Sequence, residues 1–211
     1  KNLHIPIYSS IEEMIDESKP EIVFSLNYWK IISSEYISKV DKGIINIHHS
    51  YKLRFRGRYS TSWAIIHARK DNNWFHGTTL HYVDSKLDNG SIIDSQRCEI
   101  NESDTAEILF ERVEELAINM FKNNFNKILS GEQNFIDPDS EFFYYEKDSN
   151  EDLQVNFNNP IEEVYDFVRA WSFKDRPKPY FLFNGRKIIL DLNQENRLYN
   201  DEKKYHSKPN W

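Results

Sequence analysis

The chain of 211 residues has little that could cross-link it or anchor it in a bilayer. Its single cysteine, Cys98, excludes an internal disulfide framework and a zinc site built from several cysteines. A lone thiol is typical of a reducing compartment, so we expect a cytoplasmic protein. No apolar run approaches the ~20 residues of a membrane-spanning helix, and residues 1–10 lack the apolar block of a signal peptide.

Positive charge is also scarce. Lys and Arg number 27 against 34 Asp and Glu, and the net charge of −7 argues against extended nucleic acid as a partner. Aromatic residues are abundant, with 14 Phe, 12 Tyr and 5 Trp, which disordered chains do not carry. The composition therefore predicts a folded protein with a substantial core.

The first half of the chain alternates apolar runs with helical segments. Residues 5–8, 21–26 and 43–48 are predicted strands; a helix capped by Ser10 and Glu13 and a second helix over 33–40 separate them. This alternation predicts an α/β fold with a mainly parallel sheet. Further along, we expect a helix at 61–70, strands at 76–83 and 91–100, and a long helix that Asp104 caps and Ser130-Gly131 ends.

Composition divides the chain into three parts. Residues 1–135 form the main domain, the Asn- and Asp-rich residues 136–159 a linker with one aromatic patch, and 160–211 a small C-terminal α+β subdomain. The subdomain begins with a helix that has Pro160 at its first position, and Asn184-Gly185 predicts a two-residue turn in a β-hairpin. Because apolar strands in a small appendage invite pairing, we expect a homodimer through this hairpin.

Two side chains suited to acyl transfer follow each other on a predicted strand. Asn46 and His48 are two residues apart, so they project to one face, at the strand end where ligands of parallel sheets gather. An amide N–H can stabilise an oxyanion, and an imidazole can move a proton. Either Asp84 or Asp88, in the loop after the next strand, could orient the imidazole; spacing does not choose between them.

Two other features bear on ligands. Five histidines within a short stretch suggest a metal site, but the sequence has no HExxH motif. Two of the histidines, His76 and His81, are an odd number of residues apart on a predicted strand and so face opposite sides. We therefore expect no metal. The loop 52–58 carries four cations and no acid, which favours contact with the phosphates of a nucleotide. Aromatic residues of the C-terminal part could stack a base, although core packing is expected for most of them: Trp171, Phe173, Tyr180, Phe181 and Phe183.

Three ordered blocks resemble the folate-dependent formyltransferases: Asn46-Ile47-His48-His49-Ser50 with Phe55-Arg56-Gly57-Arg58 and Trp63, then residues 76–81, then 87–93. The resemblance implies a Rossmann-like formyltransferase fold in which residues 1–135 are the catalytic domain, here expected to be N-terminally shortened. It implies that Asn46, His48 and Asp88, rather than Asp84, are catalytic. Arg58 lies where the aminoarabinose formyltransferase has an active-site arginine, and residues 51–54 replace the family's Leu-Leu-Pro run.

The resemblance also implies ligands. The formyl donor would be 10-formyltetrahydrofolate, held largely by main-chain groups, and its expected contacts are Phe24, Leu26, Tyr28, Val83, Asp84, Leu87 and Asp88. The expected substrate contacts are Ser50, Tyr51, Arg56, Arg58, Tyr59, Trp63 and Trp171.

Residues 169–173 and the hairpin are most similar to sugar-nucleotide N-formyltransferases. We therefore expect an enzyme that formylates the amine of a dTDP- or GDP-linked amino-dideoxy sugar for a surface polysaccharide such as O-antigen. The alternatives are a methionyl-tRNA formyltransferase, which the acidic charge and the short tail oppose, and a non-catalytic folate- or nucleotide-binding module.

Overall fold

The computed structural model describes residues 5–26, 28, 30–145 and 152–192. Within them the chain forms five α-helices, a short 3₁₀ turn at Tyr51–Leu53 and eight strands. The helices are α1 (Ile11–Ser18), α2 (Ser34–Ser38), α3 (Ser60–Lys70), α4 (Ala106–Ser130) and α5 (Ile161–Trp171). The strands are β1 (Val23–Ser25), β2 (Ile44–His48), β3 (Phe55–Gly57), β4 (Phe75–Tyr82), β5 (Ile92–Glu99), β6 (Phe143–Tyr145), β7 (Tyr180–Phe183) and β8 (Arg186–Ile189).

A four-stranded sheet with the order β1-β2-β4-β5 forms the centre of the fold. The α/β class is confirmed, but the sheet is mixed: β1 and β2 are parallel, whereas β2–β4 and β4–β5 are antiparallel. In the described residues, therefore, the parallel pairing that the sequence predicted for most of this sheet occurs only between β1 and β2, which α2 joins. An antiparallel β4 starts at the end of the sheet where β2 finishes, so α3 need not cross the sheet; it packs against α5 instead.

Helix α4 covers one face of this sheet and ends as predicted. Its apolar stripe packs on β4 and β5, and Gly131, with φ +76°, closes its C-terminus. Its N-cap is Thr105, whose hydroxyl accepts a hydrogen bond from the Ile108 N–H, so the prediction of Asp104 as the cap is wrong by one residue. The Asp104 carboxylate instead binds Arg112 at 2.8 Å and accepts from the Asn101 N–H.

Residues 5–10, the described part of the chain before α1, form no strand. The prediction for residues 5–8 is wrong, because Ile5 and Ile7 are exposed and pair with no other strand in the described part of the chain. The cap of α1 is confirmed: the Ser10 hydroxyl accepts from the Glu13 N–H at 3.1 Å.

The aromatic patch in the predicted linker forms β6, which pairs parallel with β3. Phe143 stacks on Phe55, and Tyr145 stacks on Trp63 with ring centroids 3.9 Å apart. This pairing attaches residues 143–145 to the main domain. Of the predicted linker, residues 146–151 lie outside the described residues.

The C-terminal helix and hairpin form as predicted. The start of the helix differs by one residue, because Pro160 is the N-cap of α5 and not its first helical residue. Trp171 at the end of α5 lies in the same apolar cluster as Ile65 of α3. Asn184 and Gly185 both have positive φ, at 48° and 73°, as a type I′ hairpin turn requires. Residues 193–211 of the predicted subdomain lie outside the described residues. No helix in the described ranges combines the length and hydropathy needed to cross a membrane.

Candidate active site

Strand β2 presents Asn46 and His48 on one face. Ile44 and Ile45 at the start of this strand are fully buried, which anchors it in the core. Asn46 lies opposite His81 of β4, and its amide Nδ2 is 3.3 Å from His81 Nε2. The amide of Asn46 thus meets the imidazole of a neighbouring strand at the carboxyl end of β2, a contact that the sequence did not predict.

The His48 ring is held by a main-chain oxygen. Its Nε2 is 2.7 Å from the carbonyl oxygen of Phe55. Because a carbonyl can only accept a hydrogen bond, Nε2 carries the proton of the neutral ring, and Nδ1 keeps its lone pair. The group that fixes the ring is thus Phe55, and Nδ1 is the nitrogen left to take a proton.

Asp88 provides negative charge beside this imidazole. One of its oxygens, Oδ2, lies 3.7 Å from His48 Nε2 and accepts a hydrogen bond from the Gly57 N–H at 2.9 Å. The other, Oδ1, lies 4.0 Å from His81 Nε2. The carboxylate thus faces both histidines but is too distant for a hydrogen bond to either, so its influence on them is electrostatic.

Asp84, the other candidate acid, has a different place. Its carboxylate accepts hydrogen bonds from the Lys86 N–H at 2.8 Å and from Asn89 Nδ2 at 3.1 Å. These contacts close the loop that carries Asp88. The structure therefore brings Asp88, and not Asp84, against the two histidines.

Two arginines of the basic loop are engaged within the protein. Arg56 is 8% exposed and donates to Asn89 Oδ1 at 2.6 Å, so it braces the loop next to Asp88. Burial lowers the pKa of its guanidinium. Arg54 forms ion pairs with three carboxylates, those of Asp71, Asp139 and Glu141.

The other expected substrate contacts comprise a polar turn and a group of aromatic side chains that pack on one another. The buried Ser50 hydroxyl accepts from the Phe55 N–H at 2.7 Å, so it shapes the turn after β2. Tyr59 meets Trp171 edge to face at 5.4 Å, and Trp63 lies perpendicular to Trp171 at 5.8 Å. Tyr51 lies under the Arg97 guanidinium, and the Arg58 N–H binds the Tyr145 carbonyl oxygen.

The expected donor-binding residues separate into two groups. Phe24 packs edge to face on Phe121, while Tyr28 and Val83 pack against the apolar cluster around α1. Leu26 and Leu87 are 51% and 41% exposed and remain accessible to a ligand. Beside Leu26 lies a cavity of about 190 Å³ whose lining includes Ile47, Ile118 and Phe121.

Three residues of the site were not predicted as site residues: His81, Gly57 and Asn89. His81 was considered only as a metal ligand, although it lies in the second block of the resemblance. Its contact with Asn46 depends on antiparallel pairing of β2 with β4, which the sequence pattern does not indicate. Within the described residues no cluster of three or more His, Cys, Asp or Glu side chains could hold a metal ion.

Gly57 is a position where a side chain would disturb the site. Its φ is +85°, and a Cβ there would lie 2.2 Å from the carbonyl oxygen of Tyr145. We expect Gly57→Ala to lower the free energy of unfolding by about 2–5 kcal/mol, from left-handed backbone strain plus the clash. Urea denaturation followed by circular dichroism measures this loss.

Gly131 offers a matched control for that measurement. Its φ is +76°, but an added Cβ would meet nothing within 4 Å. Gly131→Ala therefore carries the backbone strain alone, about 1–2 kcal/mol. Equal losses in the two variants would contradict the close approach of β3 and β6.

Comparisons with known proteins identify the family of the chain. Residues 7–124, more than half of the chain, match the family model described as formyl transferase. The bifunctional polymyxin resistance protein ArnA of Wigglesworthia glossinidia brevipalpis is 28% identical over 179 residues, which are 84% of this chain and 27% of that protein. The chain thus spans about a quarter of the length of this curated relative.

Solved structures show a similar fold. A sugar N-formyltransferase from a Shewanella species superposes with a TM-score of 0.75 at 23% identity, covering 87% of this chain and 74% of that one. An N-formyltransferase from Helicobacter canadensis, solved with folinic acid and dTDP-3-aminofucose, has a TM-score of 0.66 at 25% identity, covering 79% and 60%. The expected formyltransferase fold is therefore confirmed.

Proposed function

The chain belongs to the formyl transferase family, and we propose on that basis that it moves a formyl group from 10-formyltetrahydrofolate to the amine of a nucleotide-linked amino sugar. The observation that carries this proposal is the convergence of Asn46, His48 and Asp88 at the end of β2. An amide donor, an imidazole with a free nitrogen and a nearby carboxylate are the groups that acyl transfer between nitrogens needs.

The chain has groups that fit the folate donor. Leu26 and Leu87 are exposed apolar side chains on the two strand-end loops, and apolar groups there suit a flat ring system. In the described structure no hydrogen bond engages the main chain of Leu87 or Asp88, so these groups are free to bind a ligand. When bound, 10-formyltetrahydrofolate would supply the activated formyl group.

Asn46 and His48 would have different roles in the reaction, namely oxyanion stabilisation and proton transfer. Asn46 has a second amide hydrogen besides the one directed at His81, and this hydrogen can stabilise the formyl oxygen as it gains negative charge. As the acceptor amine bonds to the formyl carbon and the bond to the folate nitrogen breaks, His48 can pass a proton from Nδ1 to the departing nitrogen. It can then take back the proton that the acceptor nitrogen loses, which restores the ring to its starting state. The Asp88 carboxylate, 3.7 Å away, would stabilise the imidazolium form of His48.

The nucleotide-sugar class of acceptor is supported by two observations. The Helicobacter canadensis relative was solved with dTDP-3-aminofucose, a nucleotide-linked amino sugar. In this chain the partly exposed Tyr59 directly follows Arg58 of the basic loop, and an aromatic face can stack on a base or a sugar, whereas Trp63 and Trp171 are packed within the core. We propose that the enzyme acts in the cytoplasm. Its product would be used in the assembly of a surface polysaccharide such as O-antigen.

The test is a formyl-transfer assay. Tetrahydrofolate release is measured spectroscopically with 10-formyltetrahydrofolate and a panel of dTDP-, GDP- and UDP-linked amino sugars, with methionyl-tRNA as the competing acceptor and the His48→Asn variant as the blank. We expect formylation of at least one amino sugar, identified by the mass of the product. Transfer to methionyl-tRNA alone would contradict the acceptor class, and no transfer to any acceptor would contradict the activity.

The hairpin supports a homodimer as part of this proposal. Leu182 and Phe183 of β7 point to opposite faces and are 52% and 63% exposed, and the facing β8 carries the exposed Ile188 and Ile189. Apolar strands with this exposure are typical of an interface.

We expect the chain to elute as a dimer in size-exclusion chromatography with light scattering. A Leu182→Glu/Phe183→Glu double variant, which places charge on both faces, should elute as a monomer. Lys187→Glu on the neighbouring strand is the charge-changing control and should remain dimeric. A wild-type monomer would contradict the prediction.

A further inference from the structure

His81 is a buried imidazole that the proposed reaction does not use directly. It is 2% exposed, lies on β4 and faces the amide of Asn46. Its Nδ1 is 2.8 Å from the carbonyl oxygen of Tyr82, and its Nε2 is 3.3 Å from Asn46 Nδ2. Both ring nitrogens therefore have partners.

The two contacts determine the tautomer of the ring. The Tyr82 carbonyl can only accept, so Nδ1 carries the hydrogen. Burial lowers the pKa of His81 to about 4 despite the nearby Asp88 carboxylate, so the ring is neutral near pH 7. Nε2 then has a lone pair and can only accept a hydrogen bond.

That lone pair determines which way the Asn46 amide faces. A carboxamide can rotate by half a turn at little cost, exchanging its NH₂ and its oxygen. An oxygen directed at His81 Nε2 would place two lone pairs against each other, so the NH₂ group must face the ring. One amide hydrogen binds His81, and the other is held ready for a substrate oxygen.

We propose that His81 is a positioning residue that fixes the amide orientation of Asn46 for transition-state stabilisation. The inference rests on the proposed formyl transfer at this site. With His81, strand β4 would contribute to a site that the sequence pattern places on β2 and the loop 83–88. The arrangement requires the antiparallel register in which Asn46 faces His81.

Kinetics of a double-mutant cycle test this role. We expect His81→Leu, which lacks an acceptor, to lower kcat about tenfold with KM for both substrates unchanged, as for one lost hydrogen bond. His81→Gln, whose side-chain oxygen can accept from Asn46, should recover kcat to within about threefold of wild type. In an Asn46→Ala background His81→Leu should change kcat by less than about twofold. Independent, multiplicative effects of the two substitutions would overturn the proposal.

A spectroscopic measurement tests the same proposal without turnover. In ¹⁵N spectra of the imidazoles at pH 7, His81 should show a protonated Nδ1 and an unprotonated Nε2, and Asn46→Ala should shift the Nε2 resonance. A ring protonated on Nε2 would overturn the inference even in an active enzyme. An inactive wild type with the expected spectrum would contradict the proposed function and leave the contact between His81 and Asn46 established.

Discussion

His48→Asn is expected to lower kcat for formyl transfer by about 10²- to 10⁴-fold, the range typical of a lost acid–base group. The substitution removes Nδ1, the ring nitrogen left free when Nε2 donates to the Phe55 carbonyl. Asparagine is polar and can still donate toward that carbonyl, so the turn after β2 should persist. The loss should therefore appear in kcat, with little change in KM.

Three measurements separate this chemical loss from misfolding. The variant should unfold within about 1 kcal/mol of wild type in urea, as expected for a substitution that leaves the surrounding core intact. It should bind 10-formyltetrahydrofolate with unchanged affinity by calorimetry. It should also lose the pH dependence of kcat that the imidazole confers. Retention of near-native turnover would exclude His48 from proton transfer.

Local sequence patterns predicted the parts of this fold whose causes are local. Capping by Ser10, termination at Gly131 and the turn at Asn184-Gly185 each depend on residues within one turn of the chain. The cap of α4 was placed one residue early because Asp104 and Thr105 are both good caps. Asp104 instead pairs with Arg112, a contact eight residues along the helix.

The candidate site shows the same division between local and distant causes. Asn46 and His48 share a face because a strand alternates, and this follows from spacing alone. The choice of Asp88 over Asp84 needed the family resemblance. The parts played by His81, Gly57 and Arg56 depend on the register of β2 with β4 and on the pairing of β3 with β6, which single-sequence periodicity does not determine.

The structure also changes the expected use of the basic loop. Its cations were predicted to bind substrate phosphate because no acid lies near them in the sequence. Arg54 is instead paired with Asp71, 17 residues away, and with acids beyond residue 138, while Arg56 binds Asn89. Carboxylates distant in sequence thus neutralise charges that appeared free. Of the loop's arginines, Arg58 has no ion pair among the described residues, so it is the stronger candidate for phosphate.

The second large effect is expected at Asn46, where we predict that Asn46→Ala lowers kcat by about 10²- to 10³-fold, the cost typical of one lost oxyanion donor. Asn46→Asp is a sharper test, because it keeps the shape and replaces the NH₂ donor with a second oxygen. That oxygen would face the His81 lone pair and would add negative charge near Asp88.

The two Asn46 variants distinguish donation from packing. If the amide acts as a hydrogen-bond donor, Asn46→Asp should be at least as slow as Asn46→Ala near pH 7, since a carboxylate repels the oxygen that gains charge. If the side chain only fills space, the aspartate variant should be the faster of the two. Comparing kcat of both variants under saturating donor and acceptor decides between these roles, and a faster aspartate variant would remove Asn46 from the oxyanion site.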